Sequence, residues 1–124
     1  MIIELRIYTT AVGKLDVYAD IYKKFAWDLT NKHLGPCLGY FLSGDGGGPL
    51  NQAVHIRAYE NAGDRETRRA AMYADPLWKD YQQASRGAGC LVSQQVWLMK
   101  PADFSPKIVS HLVDASSVEA GDRK

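Results

Sequence analysis

The sequence predicts an α+β domain whose elements follow the order strand, helix, strand, strand, helix, strand. Three observations support this prediction: short stretches in which apolar and polar residues alternate, two long stretches with helical periodicity, and glycine or proline near the boundaries between them. The chain has 124 residues, of which 46% are hydrophobic. A chain of this size and composition suits one globular domain with its own core.

The first strand is predicted over residues 2–9, where apolar and polar residues alternate with a period of two. Over residues 14–33 the period changes to that of an amphipathic helix. One side of this helix carries an apolar stripe: Leu15, Tyr18, Tyr22, Phe25 and Leu29. Gly35 and Pro36 end the helix in the usual way.

The second and third strands are predicted over residues 37–43 and 52–59, with a glycine-rich loop at 44–48 between them. This loop lacks the Gly-Lys-Ser/Thr ending of a phosphate-binding loop, and it joins two strands instead of a strand and a helix. It is therefore predicted to be a hairpin connection.

The second helix is predicted to begin at Asp64, a residue type that caps helices. Asp75 and Pro76 predict a break within it, because aspartate suits a cap and proline suits a first helical turn. Gly87 and Gly89 end the helix, and the fourth strand follows over residues 91–99. The folded domain is predicted to span residues 1–106, followed by a polar tail over 107–124.

This order of elements is that of the ferredoxin-like βαββαβ fold, a four-stranded antiparallel sheet with both helices on one face. The helix-covered face is expected to be apolar, with Ile3, Leu5, Ile7, Val54, Ile56, Ala58, Val92, Val96 and Leu98. The opposite face is then expected to carry Glu4, Arg6, Tyr8, His55, Arg57, Tyr59, Gln95 and Trp97. Large exposed patches usually mark partner surfaces or pockets, so this second face is expected to meet another copy of the chain in a homodimer.

The charge balance, 15 Lys and Arg against 14 Asp and Glu, argues against a nucleic-acid-binding protein. No apolar run is long enough for a membrane span, and the N-terminus lacks the features of a signal peptide. A cytoplasmic location is therefore expected. The two cysteines and three histidines lack zinc-ligand spacing, so neither a metal site nor a cofactor is predicted.

His55 is the candidate catalytic residue, because histidine titrates near neutral pH and this one lies in the middle of a predicted strand. The alternative is a histidine that makes only structural hydrogen bonds. The positive charge of Arg57, two residues away, is expected to keep His55 neutral. The candidate ligand-binding residues are Arg6, Tyr8, Arg57, Tyr59 and Trp97.

The arginines admit two interpretations. Arg6 and Arg57 suit the binding of a carboxylate ligand, because a guanidinium matches two oxygens. Alternatively, they form a structural salt bridge with Glu4. Nearby, Arg65, Arg68 and Arg69 form a short basic cluster together with Asp64 and Glu66, and they are predicted to form a solvated helix face.

Several segments together resemble the NIPSNAP family over about residues 2–106: Ile2–Tyr8, Gly13–Leu15 with Tyr18, Gly39–Phe41, Gly48–Tyr59, Asp64–Glu66 with Arg68 and Arg69, and Asp75-Pro76 with Trp78. The resemblance implies a dimeric α+β barrel built from two ferredoxin-like units. It implies no single activity, since the wider superfamily includes monooxygenases, isomerases, dehydratases and haem-handling proteins. The sequence departs from the family pattern at Arg57, where a tryptophan is expected, and in its glycine run at 44–48.

Three hypotheses on function follow. The first is a barrel that binds a small molecule, such as an acidic aromatic compound. The second is a cofactor-free monooxygenase or isomerase that uses His55 as its acid or base. The third is a structural or interaction module whose barrel interior is fully packed. A cavity of a few hundred Å³ would favour the first two.

Overall fold

The computed structural model describes residues 1–44 and 47–107 of the chain. Its strands are β1 (Ile2–Thr10), β2 (Gly39–Leu42), β3 (Gln52–Tyr59) and β4 (Leu91–Met99). They form one antiparallel sheet in the order β2-β3-β1-β4. This topology confirms the predicted ferredoxin-like fold. All of the predicted tail except Lys107 lies outside the described residues.

The first helical region is continuous but not uniform. It consists of α1 (Leu15–Ile21), a π-helical segment (Tyr22–Ala26) and α2 (Trp27–Leu34). The π-helical segment was not predicted, because its apolar spacing does not differ visibly from that of an α-helix. Gly35 ends α2 with φ of 84°, a conformation that glycine adopts without a steric penalty.

The second helical region contains two helices, α3 (Ala62–Ala74) and α4 (Pro76–Ala88). Asp75 separates them and caps α4, since its side chain accepts a hydrogen bond from the amide of Leu77. This confirms the predicted break. The predicted cap of the first part is wrong by three residues: Asn61 caps α3, and Asp64 lies in its first turn.

The two faces of the sheet are the reverse of those predicted for β1 and β3. The helices cover the polar and aromatic side, which carries Glu4, Arg6, Tyr8, His55, Arg57 and Tyr59. The apolar side is open, and it carries Ile3, Leu5, Ile7, Val54, Ile56 and Ala58. Alternation shows which residues share a face, but it does not show which face the helices cover.

The strand β4 is placed by its register with β1. Trp97 and Gln95 lie opposite Leu5 and Ile7, so both are on the open face. The prediction that they share a face with Arg6 and Tyr8 is therefore wrong. Val96 and Leu98 lie on the helix side but remain exposed.

The polar side of the sheet is accommodated because the helices contribute tyrosines to it. One core cluster joins Tyr8 and Ala53 of the sheet to Tyr18, Tyr22, Ala26, Tyr81 and Cys90. The hydroxyl groups of Tyr18 and Tyr81 form a buried hydrogen bond of 2.5 Å. A second cluster joins Tyr59 to Leu29, Leu34 and Met72. No helix in the described part of the chain is long and apolar enough to span a membrane.

Candidate functional site: an arginine-lined cleft

A cleft of about 780 Å³ is lined by residues of β1, α3, α4 and β4. Four of these residues are arginines: Arg6, Arg65, Arg69 and Arg86. Four others are aromatic: Tyr8, Tyr73, Trp78 and Tyr81. Among the described residues, no aspartate or glutamate lines the cleft. A cavity of this size is comparable to those that hold small ligands in other proteins.

Three of the arginines surround the carboxylate of Glu4, and we call Arg6, Arg65 and Arg69 the arginine cluster. The Nε atoms of Arg6 and Arg65 donate to the two carboxylate oxygens, at 2.9 and 2.6 Å. A terminal nitrogen of Arg69 lies 3.9 Å from the first of these oxygens. Burial opposes ionisation of Glu4, but the hydrogen bonds and charges of Arg6 and Arg65 outweigh it and lower the pKa of the carboxyl group.

Glu4 is therefore ionised at neutral pH and compensates one of the three positive charges. The cluster retains a net charge of about +2 by this count. Part of that charge is shielded from water, since the side chains of Arg6 and Arg69 are only 11% and 13% exposed. Partly buried positive charge of this kind attracts anions.

The helix α3 presents two arginines of the cluster, because Arg65, Arg69 and Met72 follow helical spacing and face inward. Arg68 points outward, is 44% exposed and pairs with Asp64. The prediction of a solvated helix face is thus correct for Arg68 and wrong for Arg65 and Arg69. The sequence does show that Arg65 and Arg69 are four residues apart and therefore lie on the same side of the helix. That side can be identified as functional only when the buried Glu4 is known to lie opposite.

Aromatic rings continue the cleft from the arginine cluster along α3 and α4. The rings of Tyr73 and Trp78 meet edge to face, with centroids 5.3 Å apart, and Trp78 lies equally close to Tyr81. The guanidinium of Arg69 lies 5.2 Å from the centroid of the Tyr73 ring. The cleft thus combines cationic groups with ring surfaces on which a planar ligand can stack.

Behind the cleft lies a second, much smaller cavity of about 20 Å³, lined among others by His55 and Arg57. His55 is 4% exposed. Its Nε2 atom has no hydrogen-bond partner among the described residues. Burial and the positive charges of Arg57 and Arg6 lower the pKa of His55 to about 3, so it is neutral as expected from the sequence.

Arg57 does not pair with Glu4, so the proposed salt bridge between them is wrong. Its guanidinium donates to Thr30 Oγ1 at 2.9 Å, to Asn31 Oδ1 at 3.0 Å and to the main-chain carbonyl of Gly35. These acceptors belong to α2 and to the residue that ends it. Arg57 therefore stabilises the end of a helix, where a positive charge is favourable.

The π-helical segment places Tyr22 beside the small cavity. The Tyr22 ring lies 4.6 Å from that of Tyr40 and 5.7 Å from that of His55. Its hydroxyl group is 3.1 Å from Thr30 Oγ1. Tyr22, Tyr40 and Tyr8 thus enclose the imidazole on several sides.

The structure does not bring all the predicted site residues together. Arg6 and Tyr8 line the cleft. His55 and Arg57 lie behind it, and Tyr59 is buried in the second core cluster. Trp97 lies on the open face of the sheet. The residues that the sequence reasoning missed are those contributed by the two later helices: Arg65, Arg69, Arg86, Tyr73, Trp78 and Tyr81.

Within residues 1–44 and 47–107, no group of three or more His, Cys, Asp or Glu side chains is placed to hold a metal ion. The side chains that line the cleft offer guanidinium groups, aromatic rings, amide groups and the hydroxyl group of Ser85. Such groups bind and orient anions and rings.

Residues 3–106 match the model of the family named NIPSNAP. A NIPSNAP family protein of unknown function from Agrobacterium tumefaciens has a similar solved structure, with 35% identity and a TM-score of 0.77 over 86% of this chain and 92% of that one. A NIPSNAP-like domain protein from Burkholderia xenovorans is 34% identical, with a TM-score of 0.74 over 85% of this chain and 88% of that one.

A more distant similarity joins the chain to a candidate antibiotic biosynthesis monooxygenase from Nitrosomonas europaea. The identity is 12% and the TM-score 0.55, over 81% of this chain and 97% of that one. At this identity the likeness shows the fold alone. No curated protein matches the chain.

Proposed function

Because the chain belongs to the NIPSNAP family, within which a similar solved structure is of unknown function, we propose a function from the cleft itself. The protein binds a small acidic aromatic molecule between β1, α3 and α4. This places the ligand in the cleft of each chain, beneath the helices, instead of inside a barrel formed by two sheets.

The arginine cluster carries the proposal. Arg6, Arg65 and Arg69 share one carboxylate, and the fourth arginine of the cleft, Arg86, adds further positive charge. An acidic group on the ligand reduces the repulsion among these side chains. The rings of Tyr8, Trp78 and Tyr81 line the same space, so an aromatic body attached to the acidic group has surfaces to stack on.

Binding is the function that the geometry supports best. His55 lines the cavity of about 20 Å³, which is large enough for one water molecule, and does not line the cleft. With a pKa lowered to about 3, it is also a weak base. The acid–base hypothesis for His55 therefore has less support than ligand binding.

We also propose that a second copy of the chain covers the open face of the sheet. That face is apolar across β1 and β3, and it includes Phe41 and Trp97, which are 57% and 56% exposed. A contiguous apolar surface of this kind is typical of a protein–protein interface. The same face on two chains can pack across a twofold axis, which makes a homodimer the simplest partner.

Ligand binding is tested by titrating the protein with benzoate and with benzamide, its neutral analogue, and measuring the melting temperature and the heat of binding. We expect benzoate to bind and to raise the melting temperature, and we expect benzamide to do neither. Arg69→Gln should weaken this binding, whereas Arg68→Gln, one residue away on the outer side of α3, should not. Equal binding of the two compounds, or equal effects of the two variants, would contradict the proposal.

A further inference from the structure

The charge of the arginine cluster indicates how many charges the group that binds to it carries. Arg6, Arg65 and Arg69 contribute three positive charges, and Glu4 compensates one. A monoanion would leave the cluster with one uncompensated charge in a partly buried place. A dianion would bring it close to neutrality, and each further compensated charge stabilises a site more strongly when water is partly excluded.

The hydrogen-bond pattern shows which atoms remain for the ligand. Arg6 and Arg65 each use the Nε atom to hold Glu4, so the carboxylate fixes the orientation of both guanidinium planes. One terminal nitrogen of Arg6 approaches the hydroxyl group of Tyr8 at 3.4 Å. One terminal nitrogen of Arg69 donates to the hydroxyl group of Tyr73. The other terminal nitrogen of Arg69 and the remaining terminal nitrogens of Arg6 and Arg65 are the donors available to a ligand in the cleft.

Several guanidinium groups around one point match a ligand group that carries several oxygen atoms in a small volume. A phosphate monoester has three terminal oxygens and about two negative charges at neutral pH. Two carboxylates on adjacent carbon atoms offer the same charge over a similar distance. A single carboxylate offers two oxygens and one charge, which one arginine can satisfy.

We propose that the ligand carries a compact dianionic group, a phosphate monoester or a pair of adjacent carboxylates, and that this group binds to Arg6, Arg65 and Arg69. The inference rests on the proposed function for the position of the ligand in the cleft. Glu4 is then a positioning residue, which orients two of the arginines without touching the ligand.

The test compares ligands that share a ring and differ in charge. Phenyl phosphate is compared with phenyl methyl phosphate, which has the same head group with one charge fewer, at about pH 8, where the phosphate monoester is fully ionised. Phthalate is compared with terephthalate, whose two carboxylates lie on opposite sides of the ring. Affinities are measured by calorimetry on the wild-type protein.

We expect phenyl phosphate to bind at least about tenfold more tightly than phenyl methyl phosphate, and phthalate more tightly than terephthalate. Arg65→Gln should reduce both ratios while leaving the monoanion affinity less affected, and Arg68→Gln should change neither. If the monoanion and the dianion bind equally well, the inference is wrong while the proposed function stands. If none of the four anions binds, the proposed function fails and this inference with it.

Discussion

The imidazole ring of His55 stacks on the ring of Tyr40, with centroids 4.7 Å apart and planes inclined by 13°. Tyr8 meets the same imidazole edge to face at 4.9 Å. The hydroxyl group of Tyr40 and the Nε2 atom of His55 are both buried without a hydrogen-bond partner among the described residues. The imidazole is therefore held in aromatic surroundings that favour its neutral form.

Our first prediction is that His55 stays neutral over the pH range in which ordinary histidines titrate. Its pKa is lowered to about 3 in the folded protein, whereas a histidine in the unfolded chain titrates near its usual value of 6.5. Below that value the unfolded chain binds a proton that the folded protein does not. Stability should therefore fall as the pH decreases from about 6.5 towards 3, by up to about 1.4 kcal/mol per pH unit from this residue.

Nuclear magnetic resonance of the imidazole protons and denaturation at several pH values check this prediction. His55→Phe retains a ring beside Tyr40 and removes the titrating group, so its stability should depend less on pH in the same window. The carboxyl groups titrate in both proteins, so their contributions cancel in the difference. A midpoint for His55 near 6.5 or above would contradict the prediction.

The second prediction separates stability from binding. Arg57→Met should lower the free energy of unfolding by at least about 2 kcal/mol, because Thr30, Asn31 and Gly35 lose charge-assisted donors near the end of α2. Benzoate affinity of the folded variant should change little, since Arg57 does not line the cleft. Denaturant titration and calorimetry measure the two quantities.

Arg86→Met is the matched control, and it should show the opposite behaviour. Arg86 is an exposed residue in the last turn of α4 that lines the cleft. Its replacement should alter stability by about 0.5 kcal/mol or less while reducing benzoate affinity. The prediction is contradicted if Arg57→Met abolishes benzoate binding while the variant remains folded.

The fold could be predicted from the sequence because each element has its own hydrophobic period, and because glycine, proline or a capping residue lies near its boundaries. Alternation over residues 52–59 predicted β3 with its observed bounds, and Asp75 and Pro76 predicted the boundary between α3 and α4. The covered side of the sheet could not be predicted in this way. Placing apolar residues inside was the natural assumption, but here the helices bring tyrosines and arginines to the polar side.

The candidate site was predictable only in part, for the same reason. Arg6 and Tyr8 were identified because they lie on a strand with an unusual mixture of aromatic and charged residues. Arg65 and Arg69 lie on a helix rich in charge, where solvent exposure is the ordinary expectation. Their inward orientation depends on Glu4, a partner about sixty residues away in the chain, and a local pattern does not show such a contact.

The third prediction concerns the open face of the sheet. We expect the protein in solution to have twice its chain mass of 13.8 kDa. Trp97→Glu places a charge on the open face of the sheet, on the edge strand β4 opposite Leu5, and should yield a monomer. Light scattering coupled to gel filtration measures the mass.

Val12→Glu provides the control, because Val12 is 92% exposed and lies outside the strands. It introduces the same charge at another exposed apolar residue, and it should leave the mass unchanged. A wild-type protein that is monomeric at micromolar concentration would contradict the proposed homodimer, as would equal effects of the two variants.

The last prediction is that Glu4→Gln lowers stability and strengthens anion binding at once. The glutamine cannot compensate the charge of Arg6 or Arg65, so the cluster changes from about +2 to about +3. Removing one partner of a buried ion pair costs about 3–5 kcal/mol, and the partial exposure of the arginines favours the lower end of that range. Inorganic phosphate should therefore raise the free energy of unfolding more in Glu4→Gln than in the wild type, since binding to the folded state offsets the added repulsion. Denaturant titrations with and without phosphate measure this difference.

The control is Asp64→Asn, which breaks the exposed ion pair with Arg68. It should lower the free energy of unfolding by about 1 kcal/mol and leave the response to phosphate unchanged. A smaller response to phosphate in Glu4→Gln than in the wild type would contradict this prediction.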